Sequence, residues 1–358
     1  MATLSTLHSK TQRLLLILLA KTLRPIIVTL ARLAGTPKAT PDSIEYVPVN
    51  TNNTTDHTIK LHIYTPSSST SDEEPHTPCP VLITCCGSGF VMPGHGLDTD
   101  YCRYIADTTG HTVLDVGYRL APEHPFPAAL EDVAAVVSHV ISQPAKYDAS
   151  RISIGGFSAG ANLATSVAVN YFPPAIFKNL VTFYPVLDAS IPAATKIAGL
   201  PEALRKPKYG GTATVPVLAM RFFQACYISC VEADLGERGV CDPRVSPVYA
   251  GLERFPGRCL FVTAECDGLA AETERLAGRL REERRGKGGS GKERDVVVIR
   301  VAGCGHAFDK RVKAGSEREK VKMELYEVVA RFLNGDEVSE VEPEVGSALD
   351  AARAVGSE

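Results

Sequence analysis

The stretch Gly155-Gly156-Phe157-Ser158-Ala159-Gly160 constrains the fold more than any other part of this 358-residue chain. Residues 151–154 before it read as a short buried strand, and residues 161–168 after it read as the start of a helix. A serine on so sharp a strand-to-helix turn presents its Oγ away from the backbone. Small residues at Gly156 and Gly160 let strand and helix approach without clash. The arrangement is a nucleophile elbow, and the flanking strand and helix are what make a five-residue pattern informative.

Strands and helices alternate along the rest of the chain. Residues 80–85 form a strand apolar on both faces, which runs into Cys86-Gly87-Ser88-Gly89-Phe90, a glycine-rich turn whose backbone amides are free to face a ligand. Further strands are expected at 112–118, 180–184, 258–264 and 296–301, and helices at 100–108, 128–143, 270–284 and 316–333. Residues 59–64 alternate like an exposed edge strand. This pattern predicts an α/β fold, a mostly parallel central sheet flanked by helices, with ligands at the carboxyl ends of the strands. Pro192, Pro201, Pro207, Gly210 and Gly211 break the alternation before a helical run over 215–231, so the insertion at about 188–245 reads as a helical cap.

The domain reading is then N-terminal cap helices over 1–45, a catalytic domain over 46–333 and a tail over 334–358. The tail has seven acidic residues against one arginine and reads as disordered. Residues 286–292 read as a solvated flexible loop.

A net charge of −3 offers no general attraction to nucleic acid. The ten cysteines show neither a short disulfide framework nor paired zinc knuckles, and those inside apolar strands pack as small hydrophobes. This usage suits a reducing compartment, so a cytoplasmic location is expected. Residues 14–20 are an apolar run behind Lys10 and Arg13, but Lys21, Arg24 and Pro25 interrupt it well short of the ~20 residues that span a bilayer. The segment reads as amphipathic, packing on the domain or making peripheral membrane contact.

A serine at neutral pH needs a base, normally histidine, and a carboxylate to hold that histidine in the right tautomer. On an elbow-type sheet these follow in the order Ser, acid, His, each on a loop just past a strand end. Of nine histidines, His306 in Gly303-Cys304-Gly305-His306-Ala307-Phe308 meets the condition. His124 reads as structural, and His8, His57, His62 and His76 as exposed. Asp267 in Glu265-Cys266-Asp267-Gly268-Leu269 is the expected acid, with Glu265 as runner-up; Asp242 is better explained by a turn. The amides of Ser88, Gly89 and Ala159 are the candidate oxyanion donors. Phe90, Met92, His95 and Phe222 are taken as pocket lining.

Several blocks carry a resemblance to the hormone-sensitive-lipase-like branch of the α/β-hydrolases, and in particular to its fungal members associated with secondary metabolism. They are residues 118–133, beginning Tyr118-Arg119-Leu120-Ala121-Pro122-Glu123, the elbow, Asp242-Pro243-Arg244-Val245-Ser246-Pro247, and the Asp267 and His306 loops. The resemblance implies hydrolysis of a small-molecule carboxylic ester, without metal or cofactor, in a monomer or homodimer. Two positions depart from the family. Its His-Gly-Gly-Gly turn stands here as Cys86-Gly87-Ser88-Gly89, and Gly117 stands where a polar residue is usual. Two other readings stay open: the same serine used for lactonisation, thioester release or acyl transfer, and a non-catalytic ligand-binding relative such as the gibberellin receptors.

Overall fold

Val81, Leu82 and Ile83 are fully buried on strand β3 (Cys79–Cys85), as an uninterrupted apolar run should be in a sheet covered on both faces. β3 pairs in parallel with β4 (Thr112–Gly117) and β5 (Tyr147–Phe157). The computed structural model describes residues 2–33, 39–51, 54–67, 77–212, 215–228, 238–286 and 295–338. Among them, β1 (Ser43–Thr51), β2 (Thr54–Tyr64), β6 (Phe177–Phe183), β7 (Arg258–Ala264) and β8 (Val296–Val301) complete an eight-stranded sheet ordered β1-β2-β4-β3-β5-β6-β7-β8. Only the β1–β2 and β2–β4 pairings are antiparallel.

Two apolar layers cover the sheet. On one face α2 (Thr99–Thr109) and α8 (Glu317–Asn334) bury Ile105, Leu325 and Val329 against Val113 and Val262. On the other, α3 (Ala128–Ile141), α4 (Ala159–Asn170) and α7 (Ala270–Gly286) bury Val133, Leu163 and Leu276 against Ile83 and Ile154. Each such side chain contributes about 1.5–3 kcal/mol by leaving water.

The structure differs from the sequence reading at the amino end. Residues 59–64 are not an edge strand: they are the last part of β2, which lies between β1 and β4, and Ile59, Leu61 and Ile63 are buried. The true edge is β1, disguised by Pro48, a residue an edge strand tolerates. The sheet therefore begins inside the 1–45 segment. Among the described residues, what precedes it is one helix, α1 (Ala2–Leu33), which runs through Pro25. Residues 34–38, residues 287–292 of the expected solvated loop and the tail from 339 onward lie outside the described residues. Within the insertion, α5 (Ala193–Ala198) and α6 (Val217–Ile228) are helical.

Arg258 fastens the sheet to α8. Its buried guanidinium donates to the carbonyls of Phe332 (2.8 Å) and Asp336 (2.8 Å), to Asn179 Oδ1 (3.3 Å), and lies 4.2 Å from the centre of the Phe332 ring. Phe332 lies in the last turn of α8 and Asp336 just past its end, where a cation is favoured. Arg258→Met fills the volume but removes these hydrogen bonds, leaving the Asp336 carbonyl and the buried Asn179 Oδ1 without this donor, and should lower unfolding free energy by about 2–4 kcal/mol in urea titration.

Candidate active site

Ser158 sits between β5 and α4 with φ 51° and ψ −116°, a backbone region that costs a non-glycine residue about 1–3 kcal/mol. Neighbours hold it there: its N–H donates to the Phe183 carbonyl (2.9 Å) and its carbonyl accepts from the Asn162 N–H (3.1 Å). A β-carbon on Gly156 or Gly160 would fall on the Cys85 carbonyl oxygen, so both glycines are required for β3 to pass so close to the turn.

His306 Nε2 lies 2.9 Å from Ser158 Oγ, and His306 Nδ1 lies 2.7 Å from Asp267 Oδ2. The other carboxylate oxygen of Asp267 accepts from the Leu269 N–H (3.1 Å). His306 and Asp267 are buried. Glu265, the runner-up acid, points elsewhere and accepts from the Gly303 N–H (2.8 Å), which shapes the histidine loop. The ring of His306 rests 4.7 Å from that of Tyr184, whose hydroxyl donates to Asp309 (2.6 Å). Asp309 and Asp98 share the ammonium of Lys310.

The glycine-rich turn lies against the serine. A β-carbon on Gly87 would stand 3.6 Å from that of Ser158. The N–H groups of Ser88, Gly89 and Ala159 take part in no backbone hydrogen bond among the described residues. Where the family has a histidine, Cys86 contributes a buried thiol whose pKa burial and the nearby Asp115 push well above normal, so it is no nucleophile at neutral pH. The anchoring is done by Tyr118 instead: its hydroxyl donates to the Cys86 carbonyl (2.7 Å) and accepts from Ser88 Oγ (2.6 Å), while Ser88 Oγ accepts from the Phe90 N–H (2.9 Å). Sequence reasoning missed this role, although Tyr118 opens the most specific block of the resemblance.

Above the serine opens a cavity of about 1830 Å³. Phe90, Met92 and His95 line it, and Phe90 stacks on Tyr227 with ring centres 3.9 Å apart. Phe222 does not: the turn of α6 puts Phe223 on the cavity, over Gly89, while Phe222 packs against the core. The insertion also reaches the histidine loop. Thr212 and His306 exchange backbone hydrogen bonds (3.0 and 2.6 Å), and Gly305 N–H donates to the Gly210 carbonyl (2.9 Å).

Among the described residues, His62, His95 and Asp115 bring metal-ligating atoms within 4.8 Å of one another. The two imidazoles stack with centres 3.9 Å apart and planes 22° apart, so their in-plane lone pairs run nearly parallel and do not converge on one ion. His62 is thus half-buried rather than exposed, because β2 is an interior strand. His57 is likewise held, 2.7 Å from the buried carboxylate of Asp132. Gly117 belongs to the same cluster. A β-carbon there would lie 2.8 Å from His95 Nδ1 and 2.8 Å from the Lys60 carbonyl, so the imidazole occupies the space a side chain would need.

A sequence profile of the alpha/beta hydrolase fold matches residues 82–310, well over half of the chain. The chain belongs to this family, the hormone-sensitive-lipase-like α/β-hydrolases of fold 3. It is 28% identical over 221 residues to the ethyl acetate hydrolase of Pseudomonas putida, covering 60% of this chain and 62% of that one. It is 34% identical over 151 residues to an esterase of Mycobacterium tuberculosis, covering 40% and 45%. The chain thus spans about half the length of the curated relatives it matches. Among solved structures, an esterase of Pyrobaculum calidifontis superposes with a TM-score of 0.66 at 25% identity, covering 88% of this chain and 92% of that one.

Burial, then the charge of Asp98, pushes the Asp115 carboxyl up to about 8, with the Gly96 N–H offsetting part of the rise. A folded pKa above the unfolded value of 3.8 means that the folded chain holds the extra proton between these limits. This contribution is fully present at low pH and is lost as pH rises toward 8. Asp115→Asn cannot ionise, so its stability in chemical denaturation should fall less between about pH 4 and 8 than that of the native chain, the window in which the folded carboxyl keeps a proton that the unfolded one has lost.

Proposed function

We propose that the chain is a serine carboxylesterase that hydrolyses small or medium acyl esters through an acyl-enzyme. The observation that carries this reading is the hydrogen-bonded line from Ser158 Oγ through His306 to Asp267, set beneath an apolar cavity. Ser158 Oγ attacks the ester carbonyl as His306 Nε2 takes its proton. The histidine then returns that proton to the leaving alcohol, and water reverses the sequence to release the acid. Asp267 keeps Nδ1 protonated and stabilises the imidazolium. Ser88, Gly89 and Ala159 supply amide donors for the oxyanion, and the Tyr118 bonds hold the first two in place. The esterase relatives support the reaction class, and the resemblance to fungal secondary-metabolism members supports a biosynthetic ester as substrate.

Purified protein should hydrolyse p-nitrophenyl acetate, butyrate or octanoate, and a fluorophosphonate should label Ser158. Ser158→Ala should abolish both, and Asp267→Asn should lower kcat by about 10³–10⁴ through loss of the correct tautomer. Hydrolysis persisting in Ser158→Ala would overturn the reading. Tyr118→Phe leaves the Cys86 carbonyl and Ser88 hydroxyl short of a partner; kcat should fall about tenfold or more with a smaller change in KM, since the oxyanion donors act chiefly in the transition state.

A further inference from the structure

Helix α1 presents its residues the wrong way round for a helix packed on a water-soluble domain. At 3.6 residues per turn, Leu14, Leu15, Leu18, Leu19 and Ile26 share one arc with Thr11, Thr22, Pro25 and Thr29. That arc faces outward: Leu14 is 61% exposed, Leu15 63%, Leu18 62%, Leu19 47% and Ile26 52%. The cations that would normally cover such a surface are turned inward. Arg24 pairs with both carboxylate oxygens of Glu123 (2.7 and 2.8 Å) and donates to the carbonyls of Val91 and Ala121. Arg13 donates to the carbonyls of Pro122 and Glu123. These bonds fix the rotation of the helix about its axis, so the leucines cannot roll under without breaking them.

An outward apolar face of this size marks a binding surface, and its charge indicates the occupant. Arg13 and Arg24 are taken up by the body of the protein, but the sequence of α1 holds no Asp or Glu to repel an anion, and Lys21 is exposed at the border of the arc. Anionic lipid headgroups complement that balance, and leucines enter the acyl boundary at a depth of ~5–10 Å. No helix among the described residues is long and apolar enough to cross a membrane, so α1 would lie along the surface. α6, which packs on α1, carries a further exposed leucine, Leu218. Ile27 and Val28 of α1 belong to the cavity wall, so the docked face adjoins the substrate space. We infer that the chain binds peripherally to an anionic lipid surface through the outward face of α1, with Arg13 and Arg24 holding that face in position.

The test is flotation of the full-length chain with vesicles of phosphatidylcholine alone or mixed with phosphatidylserine. The protein should float with the mixed vesicles and do so less at high salt. The triple variant Leu14→Gln/Leu15→Gln/Leu18→Gln should lose at least about tenfold in the bound fraction, while its circular dichroism and its activity on a water-soluble ester stay those of the native chain. Lys21→Glu, which puts an acid beside the arc without touching the core, should also weaken binding. A native chain that stays unbound with both vesicles overturns the inference. So does a dimer by light scattering that the triple variant dissociates, with no flotation, because the occupant is then a second copy. Flotation needs no turnover, so failure here leaves the esterase reading untouched, and the reverse holds too.

Discussion

Two absent β-carbons set the geometry on which everything else in this chain depends. With glycine at 156 and 160, the end of β3 passes the elbow backbone to backbone, against the carbonyls of Cys85 and Cys86. Any side chain at either position would force the strand away by an ångström or more, and the turn leaving β3 would move with it. The strained backbone at Ser158 is one cost of the arrangement, carried by the hydrogen bonds to Phe183 and Asn162 and by an α4 buried along nearly its whole length. The Gly87–Gly89 amides and the serine oxygen are thus positioned by a single rigid contact between two parallel-sheet elements.

The insertion over 188–245 is tied down at both ends of that site. On one side Lys196 of α5 reaches Glu272 of α7 at 2.5 Å, both buried, while the other oxygen of Glu272 accepts from Leu187 N–H (2.7 Å). Losing either partner would leave a buried charge uncompensated, which is far costlier than the pair is favourable. On the other side the 210–212 backbone is laddered to the His306 loop. The segment that walls the cavity is therefore also part of the support of the imidazole, so a change in its packing reaches His306 through the main chain.

How much of this is legible without coordinates depends on how local each feature is. Ser158, Asp267 and His306 each follow a strand, so periodicity and turn residues are enough to bring them into consideration, and the structure puts them in one hydrogen-bonded line. The strand and helix alternation from residue 79 onward is equally local. What stays hidden depends on long-range packing. Tyr118 compensates for Cys86 across 32 positions of sequence, and nothing in the pattern says that its hydroxyl points at that carbonyl. Phe223 rather than Phe222 meets the cavity because of a helix rotation that tertiary contacts decide. β1 is masked by Pro48, whose meaning changes once the strand is known to be an edge. The inward turn of Arg13 and Arg24 reverses the usual reading of an amphipathic helix, which assumes that leucines go in.

The space at Gly117 is claimed twice over. A β-carbon there would meet the His95 ring and the Lys60 carbonyl, each at 2.8 Å. Shortening residue 95 would relieve the first contact and leave the second, because that carbonyl belongs to the β2 backbone that pairs with β4 at this very register. The glycine therefore protects two things at once, the β2–β4 ladder and the stack of His95 on His62, so a side chain added at this one point would disturb the sheet and the imidazole pair together.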